Sequence, residues 1–221
     1  MWCIPRADAE FVARMENILD LYEHPYNPAR PLVCFDETSK QLIEETRLPL
    51  PMKPGQVLRY DYEYKRNGTR NLFLFFEPLV GWRHIDVTER RTKLDFAHQM
   101  RWLVDMAYPD VEAIDVVLDN LNTHTYAALY ETFEPAEARR LARKLVFHYT
   151  PKHASWLNMA EIEFSVISRK LGPRVPDEQT LTHKVVAVEL SRNESSSSVD
   201  WQFTTDDARI KLNRLYPSYS D

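Results

Sequence analysis

Two short apolar runs, each stopped by an aspartate, constrain this chain more than any other feature of it. Pro31-Leu32-Val33-Cys34-Phe35 gives way to Asp36-Glu37-Thr38, and Ile114-Asp115-Val116-Val117-Leu118 gives way to Asp119. Runs of this length and composition read as buried strands rather than helices. A carboxylate at the C-terminal end of a buried strand projects from a rigid platform into the crevice where open α/β sheets bind ligands. One such aspartate is ordinarily a turn or cap residue. Two of them, each closing a strand of the most hydrophobic kind, make a shared site an even alternative.

The remaining pattern supplies the frame. Phe11, Met15, Ile18, Leu19 and Tyr22 fall on one face of a helix starting after Asp8 and ending at His24-Pro25. Tyr60, Tyr62 and Tyr64 alternate as a strand, Asn67-Gly68 is a hairpin-turn signal, and Asn71 to Glu77 is the expected return strand. Trp82 to Thr88 alternates again. Leu94 to Ala107, Tyr126 to Phe133, Ala136 to Lys144 and Asn158 to Leu171 carry helical spacing, with Leu145 to Tyr149 a last short strand. This order predicts an α/β fold with a mixed sheet flanked by helices. Ser195 to Ser198 reads as a flexible link, and Trp201, Phe203, Ile210, Leu212 and Leu215 give the tail enough apolar surface to dock back. The expected organisation is an N-terminal linker helix in 1–30, a catalytic domain in 31–194 and a packing tail in 195–221.

Composition excludes several function classes. With 44% hydrophobic and 28% charged residues the chain is expected to be globular rather than disordered. No apolar run approaches the roughly 20 residues of a membrane span, and the N-terminus lacks an apolar signal core, so a cytoplasmic protein with no membrane partner is expected. Cys3 and Cys34 are too few and too far apart for a disulfide framework or a zinc knuckle. His148 and His153, five residues apart, do not share a helical face, and no zinc site is expected there. Four glycines and no G-x-G-x-x-G or Walker-type loop leave nucleotide-cofactor binding unsupported. The net charge of −5 lacks the basic excess that phosphate neutralisation calls for. A DNA-binding reading therefore needs basic residues gathered on one face, or a separate basic module. Lys65, Arg66 and Arg70 around the expected hairpin tip and the Arg90-Arg91-Thr92-Lys93 cluster are the most basic patches. Each is a solvated face by default and a candidate to track DNA backbone.

Two strand-end acids could hold hard cations through oxygen, and a third acid from a helix would complete a pair of metal sites about 3.5–4 Å apart. The surrounding words then carry a resemblance. Cys34-Phe35-Asp36-Glu37-Thr38 resembles the first-acid strand of the mariner superfamily of transposases, in its bacterial insertion-sequence branch. Val117-Leu118-Asp119-Asn120-Leu121-Asn122-Thr123-His124 is similar to the second-acid motif, where Asp-Asn is followed by a histidine. Tyr149-Thr150-Pro151-Lys152-His153-Ala154-Ser155-Trp156-Leu157-Asn158-Met159-Ala160-Glu161 resembles the third, a proline-containing turn leading to Leu-Asn-x-x-Glu on a helix.

That resemblance implies a ribonuclease H-like fold and DDE-type strand cleavage and strand transfer. Asp36, Asp119 and Glu161 would be the catalytic and metal-binding residues, with Asp36 bridging two Mg2+ ions and Mn2+ able to substitute. Glu163 is the rival third acid, but on a helix it points about 200° away from Glu161, and the Leu-Asn-x-x-Glu match selects Glu161. Glu37, beside Asp36, is expected to be a surface acid. Asn120 and His124 are candidates to orient DNA phosphate or a water, a capping or structural role for Asn122 and His124 standing equal. Lys152 and His153 are candidate phosphate contacts.

The implied partners are transposon ends and target DNA, TA-containing by resemblance, bound by a homodimer. Relatives of this kind carry N-terminal helix-turn-helix domains, and the residues before Pro31 have no room for one. The chain is therefore expected to be a catalytic-domain fragment, a partial reading frame or half of a split enzyme. Two alternatives stay open: another ribonuclease H-like nuclease, and an inactive or domesticated remnant acting as a DNA-binding or oligomerisation module.

Overall fold

The computed structural model describes residues 8–57, 59 and 61–217. Strands β1 (Leu32–Glu45), β2 (Tyr64–Glu77), β3 (Trp82–Thr88), β4 (Ile114–Leu118) and β5 (Leu145–Tyr149) form a mixed sheet in the order β3-β2-β1-β4-β5. The β1–β2 and β2–β3 pairs are antiparallel; β1–β4 and β4–β5 are parallel. Both faces are covered, so the central strands are apolar on both sides. Val33, Phe35, Phe73, Phe75, Val116 and Leu118 point to one face. There they meet α2 (Lys93–Trp102), α3 (Tyr126–Thr132) and α4 (Pro135–Lys144). Cys34, Leu74, Phe76 and Val117 point to the other, against α1 (Ala9–Glu23), α5 (Met159–Leu171), α6 (Glu178–Glu194) and α7 (Thr205–Lys211).

Local chemistry sets the helix ends. Asp8 caps α1 by accepting from the Phe11 N–H at 2.8 Å. Thr92 and Asp95 form a capping box at α2, which runs into a π-helical turn at Leu103–Ala107. The left-handed φ of +78° at Gly172 stops α5.

Three expectations change. First, β1 does not stop at Asp36. Its parallel pairing with β4 covers Leu32, Val33 and Cys34, after which it continues beside β2 to Glu45. The polar stretch after Phe35 runs on as an extended strand whose partner is β2. Second, Asn67-Gly68 is not a hairpin turn but lies within β2. The register passes from Gln41↔Thr69 to Ile43↔Arg66, so Leu42 faces two residues, and Gly68 adopts φ +90° in this bulge. Tyr60 of the expected preceding strand lies outside the described residues, Tyr62 belongs to no strand, and Tyr64 begins β2. Third, the Ser195–Ser198 link is pinned. The Ser197 carbonyl accepts from Arg83 Nη2 at 2.6 Å, and a Cβ at Gly81 would stand 2.5 Å from the Ser196 backbone.

The tail docks on α1. Trp201 packs on Tyr22 with ring centroids 5.1 Å apart, and the Thr205 hydroxyl donates to Asp20 at 2.6 Å. The N-terminal helix is thereby part of the core, with Met15, Ile18 and Leu19 fully buried. Each such side chain contributes about 1.5–3 kcal/mol. Cys34 is a buried free thiol; Cys3 lies outside the described residues. No helix among the described residues is long and apolar enough to cross a membrane.

Candidate active site

The sheet's topology brings the two strand acids together. β4 pairs with β1 as far as Val117 beside Cys34 and ends at Leu118, so the edge of β1 opens toward Asp36 and Asp119 follows directly on β4. Strand alternation turns Asp36 to the Cys34 face, which α5 covers. The third acid is delivered by a turn with its own fastenings. The Thr150 N–H donates to the Leu118 carbonyl at 2.9 Å, Ala154 is fully buried, and His153 takes a left-handed φ of +63°. Asn158 then caps α5, accepting from the Ala160 N–H at 3.1 Å and donating to the Phe35 carbonyl at 2.9 Å. One buried side chain thus joins the helix of Glu161 to the strand of Asp36.

The electrostatics of Asp36 report the result. Burial pushes its carboxyl up to about 7, with the charge of Glu161 next in weight and those of Glu37 and Asp119 adding to it. The Glu37 N–H, 2.8 Å from Asp36 Oδ1, offsets only part of this. The charges of Glu161 on α5, of Glu37 on β1 and of Asp119 after β4 thus all bear on the Asp36 carboxyl.

Glu163 goes elsewhere. Its side chain is 1% exposed and lies between two guanidinium groups, 3.0 Å from Arg83 Nε and 2.5 Å from Arg192 Nε. Glu161 on the other side of α5 is exposed.

The Glu37 side chain is 3% exposed rather than at the surface, because its face of β1 is covered. His124 Nε2 lies 3.0 Å from Glu37 Oε2, and His124 Nδ1 lies 2.6 Å from Asp119 Oδ1. Nδ1 and Oε2 lack an aligned hydrogen bond, so these are close ion-pair contacts rather than linear bonds. His124 is itself 1% exposed and packs on Phe35 and Phe96. It faces carboxylates, not solvent where a phosphate would lie. Burial lowers its pKa, but Asp119 and Glu37 outweigh that and raise it to about 9. The sequence signalled His124 by motif; for Glu37 the only signal was its place beside Asp36.

Of the other sequence candidates, Asn120, Lys152 and His153 are exposed. Asn120 and Lys152 line a cleft of about 240 Å³ together with Asp8, Glu10, Phe11 and Arg14. Lys65, Arg66 and Arg70 sit on the β2 extension. Lys65 pairs with Glu44 and Arg70 with Glu178, while Arg66 packs over Tyr64.

The donor chemistry fits a hard divalent ion, since carboxylate oxygens are its preferred ligands. As the side chains stand, no three His, Cys, Asp or Glu groups among the described residues converge into a finished ligand set. Asp119 is turned onto His124.

A mixed sheet in this order with helices on both faces is the ribonuclease H-like fold. The chain belongs to the DDE superfamily endonucleases, whose family model matches residues 31–182. Among solved structures it is similar to the Mos1 mariner paired end complex with Mn, at a TM-score of 0.57 and 15% identity over 89% of this chain and 60% of that one. It is likewise similar to the Mos1 strand transfer complex, at 0.58 and 14% over 89% and 59%, and to a pre-cleavage Mos1 transpososome, at 0.50 and 14% over 92% and 66%. The chain spans about 60% of the length of the first of these relatives. No curated protein matches it in sequence.

Proposed function

We propose that this chain is the catalytic domain of a cut-and-paste DNA transposase of the mariner superfamily, in its bacterial insertion-sequence branch. Asp36, Asp119 and Glu161 are its catalytic acids. The observation that carries this reading is geometric: Asp119 follows the end of β4 next to β1, and Asn158 ties the Glu161 helix to the Phe35 carbonyl beside Asp36. Such a cluster gains most from two bound Mg2+ or Mn2+ ions. When bound, these would activate the attacking hydroxyl and stabilise the leaving 3′-oxygen of DNA. The chain's own part is to hold the acids. Asn158 fixes the Glu161 helix against β1, the β4 terminus presents Asp119, and the buried setting of Asp36 favours a cation over water.

Lys152, His153 and Asn120, exposed and close in sequence to Asp119 and to the turn before Glu161, are the side chains assigned to DNA phosphates. The substrates are transposon ends and a TA-containing target, handled by a homodimer on DNA, in the cytoplasm and at the nucleoid. Likeness to a Mos1 complex solved with Mn supports the divalent-ion requirement. The reading of an inactive DNA-binding remnant draws on the net charge of −5 and on the turning of Asp119 toward His124.

Nicking of supercoiled plasmid, followed by joining of an oligonucleotide 3′-hydroxyl end, tests the proposal. Activity that requires Mg2+ and is lost in Asp119→Ala and Glu161→Ala, but not in a folded Glu163→Gln, supports it. Metal-independent nicking, or Mg2+ binding with no cleavage of any DNA, points to the alternatives.

A further inference from the structure

Glu37 and His124 are buried ionisable groups that the three-acid chemistry does not use. They sit 3% and 1% exposed, on the sheet face opposite Asp36. The imidazole spans from Glu37 Oε2, 3.0 Å from Nε2, to Asp119 Oδ1, 2.6 Å from Nδ1. Its position is fixed on further sides. The ring packs edge-on to Phe35 and lies 4.8 Å from the Phe96 ring centroid, and its own carbonyl accepts from the Tyr149 hydroxyl at 2.8 Å. The ring is thus anchored to β1, β5 and α2, while Asp119 stands on the loop after β4 with its side chain 35% exposed.

We infer that His124, held by Glu37, is a positioning residue that orients the Asp119 carboxylate for metal binding. This rests on the three-acid reading above. The chain of contacts runs from Glu37, the neighbour of Asp36, through the ring to Asp119, so the first and second acids are set relative to each other by a rigid aromatic spacer. A carboxylate on a loop samples several rotamers, and each one that faces away from the ion weakens the site. Fastening Oδ1 to a caged ring restricts those rotamers and leaves Oδ2 to meet a cation. Partners of this kind behind a metal ligand typically change affinity by about 10–100-fold when removed.

The test is Mn2+ binding by isothermal titration calorimetry on the folded full chain without DNA, with the thermal midpoint in EDTA measured for each variant. Asp119→Ala reports whether the site exists. His124→Asn keeps an N–H donor near the Nδ1 position and His124→Gln keeps one near Nε2, at similar polarity and volume. The inference predicts that His124→Asn binds Mn2+ within a few-fold of wild type, whereas His124→Gln and Glu37→Ala bind it about 10-fold more weakly while remaining folded. A merely structural role would lower the midpoints of both His124 variants alike and leave the affinities of folded protein unchanged. If His124→Gln binds as tightly as wild type while Asp119→Ala does not, the positioning role is wrong and the three-acid site stands. If Asp119→Ala also binds as wild type, both fall.

Discussion

Asn158 Nδ2 donates a 2.9 Å hydrogen bond to the backbone carbonyl of Phe35, the residue immediately before Asp36. The same side chain caps the helix that carries Glu161. This gives the Leu-Asn-x-x-Glu motif a physical content: the asparagine sets the separation of two acids from different elements. Asn158 is 1% exposed, so Asn158→Ala leaves a buried carbonyl and a helix N-terminus unsatisfied. Urea denaturation is expected to show a loss of about 2–4 kcal/mol. Asn158→Asp retains the cap but cannot donate to Phe35, and is expected to lose Mg2+ affinity as well as stability.

Two glutamates two residues apart are expected to behave oppositely. Glu163 neutralises fully buried Arg83 and contacts Arg192, so Glu163→Ala strands a charge and costs about 3–5 kcal/mol. Glu161→Gln removes a repulsion felt at Asp36, so metal-free protein is expected to be no less stable than wild type. Chemical denaturation in EDTA, compared with cleavage rates in Mg2+, separates the two roles.

The site and the core were legible in the sequence to different depths. Strands β3, β4 and β5 match their expected bounds, since runs such as Ile114 to Leu118 are too short for a helix and too apolar for a surface. Asn67-Gly68 misled because turn propensity is local, whereas the long partner β1 converts the glycine's positive φ into a bulge. Glu37 was unreadable for another reason. Alternation places it opposite Asp36, but only tertiary packing shows that Phe96 and His124 cover that face. Helix α6 announced itself poorly because just two of its 17 residues, Leu181 and Val185, are fully buried.

The raised carboxyl of Asp36 makes metal-free stability depend on pH. The folded state holds the proton up to about 7, against an ordinary 3.8 for aspartate. Between those values the folded chain binds more protons than the unfolded one, so stability falls as pH rises through this window. Asp36→Asn is expected to remove this slope in EDTA. Saturating Mg2+ is expected to raise the thermal midpoint of wild type more at pH 8 than at pH 5.

Asp115 works in the opposite direction. Its carboxylate is 2.5 Å from Arg30 Nε and 2.7 Å from His148 Nε2. Although burial alone would raise it, these two partners hold it at about 2. A depressed carboxylate contributes stability above its unfolded value near 3.8, and that contribution is lost as pH falls through about 2. Wild type and Asp115→Asn are therefore expected to differ by about 2 kcal/mol at neutral pH, with the gap narrowing in acid.

Lys152 is exposed, shares a cleft with Asn120, the residue after Asp119, and is expected to meet phosphate. Fluorescence anisotropy with duplex DNA should show Lys152→Ala weakening binding, with the slope of log K against log salt reduced by about 0.9. His153→Gly relieves a left-handed histidine at φ +63°, so it is expected to stay within about 1 kcal/mol of wild type in stability while binding DNA less tightly.

The central claim is that Asp36, Asp119 and Glu161 together hold the divalent ions. The most direct measurement is anomalous diffraction from crystals soaked in Mn2+. Peaks bounded by oxygens of these three side chains, with Asp36 between two ions, are the predicted result. A folded protein whose Mn2+ lies elsewhere, or is ligated by Glu163 in place of Glu161, would contradict the account.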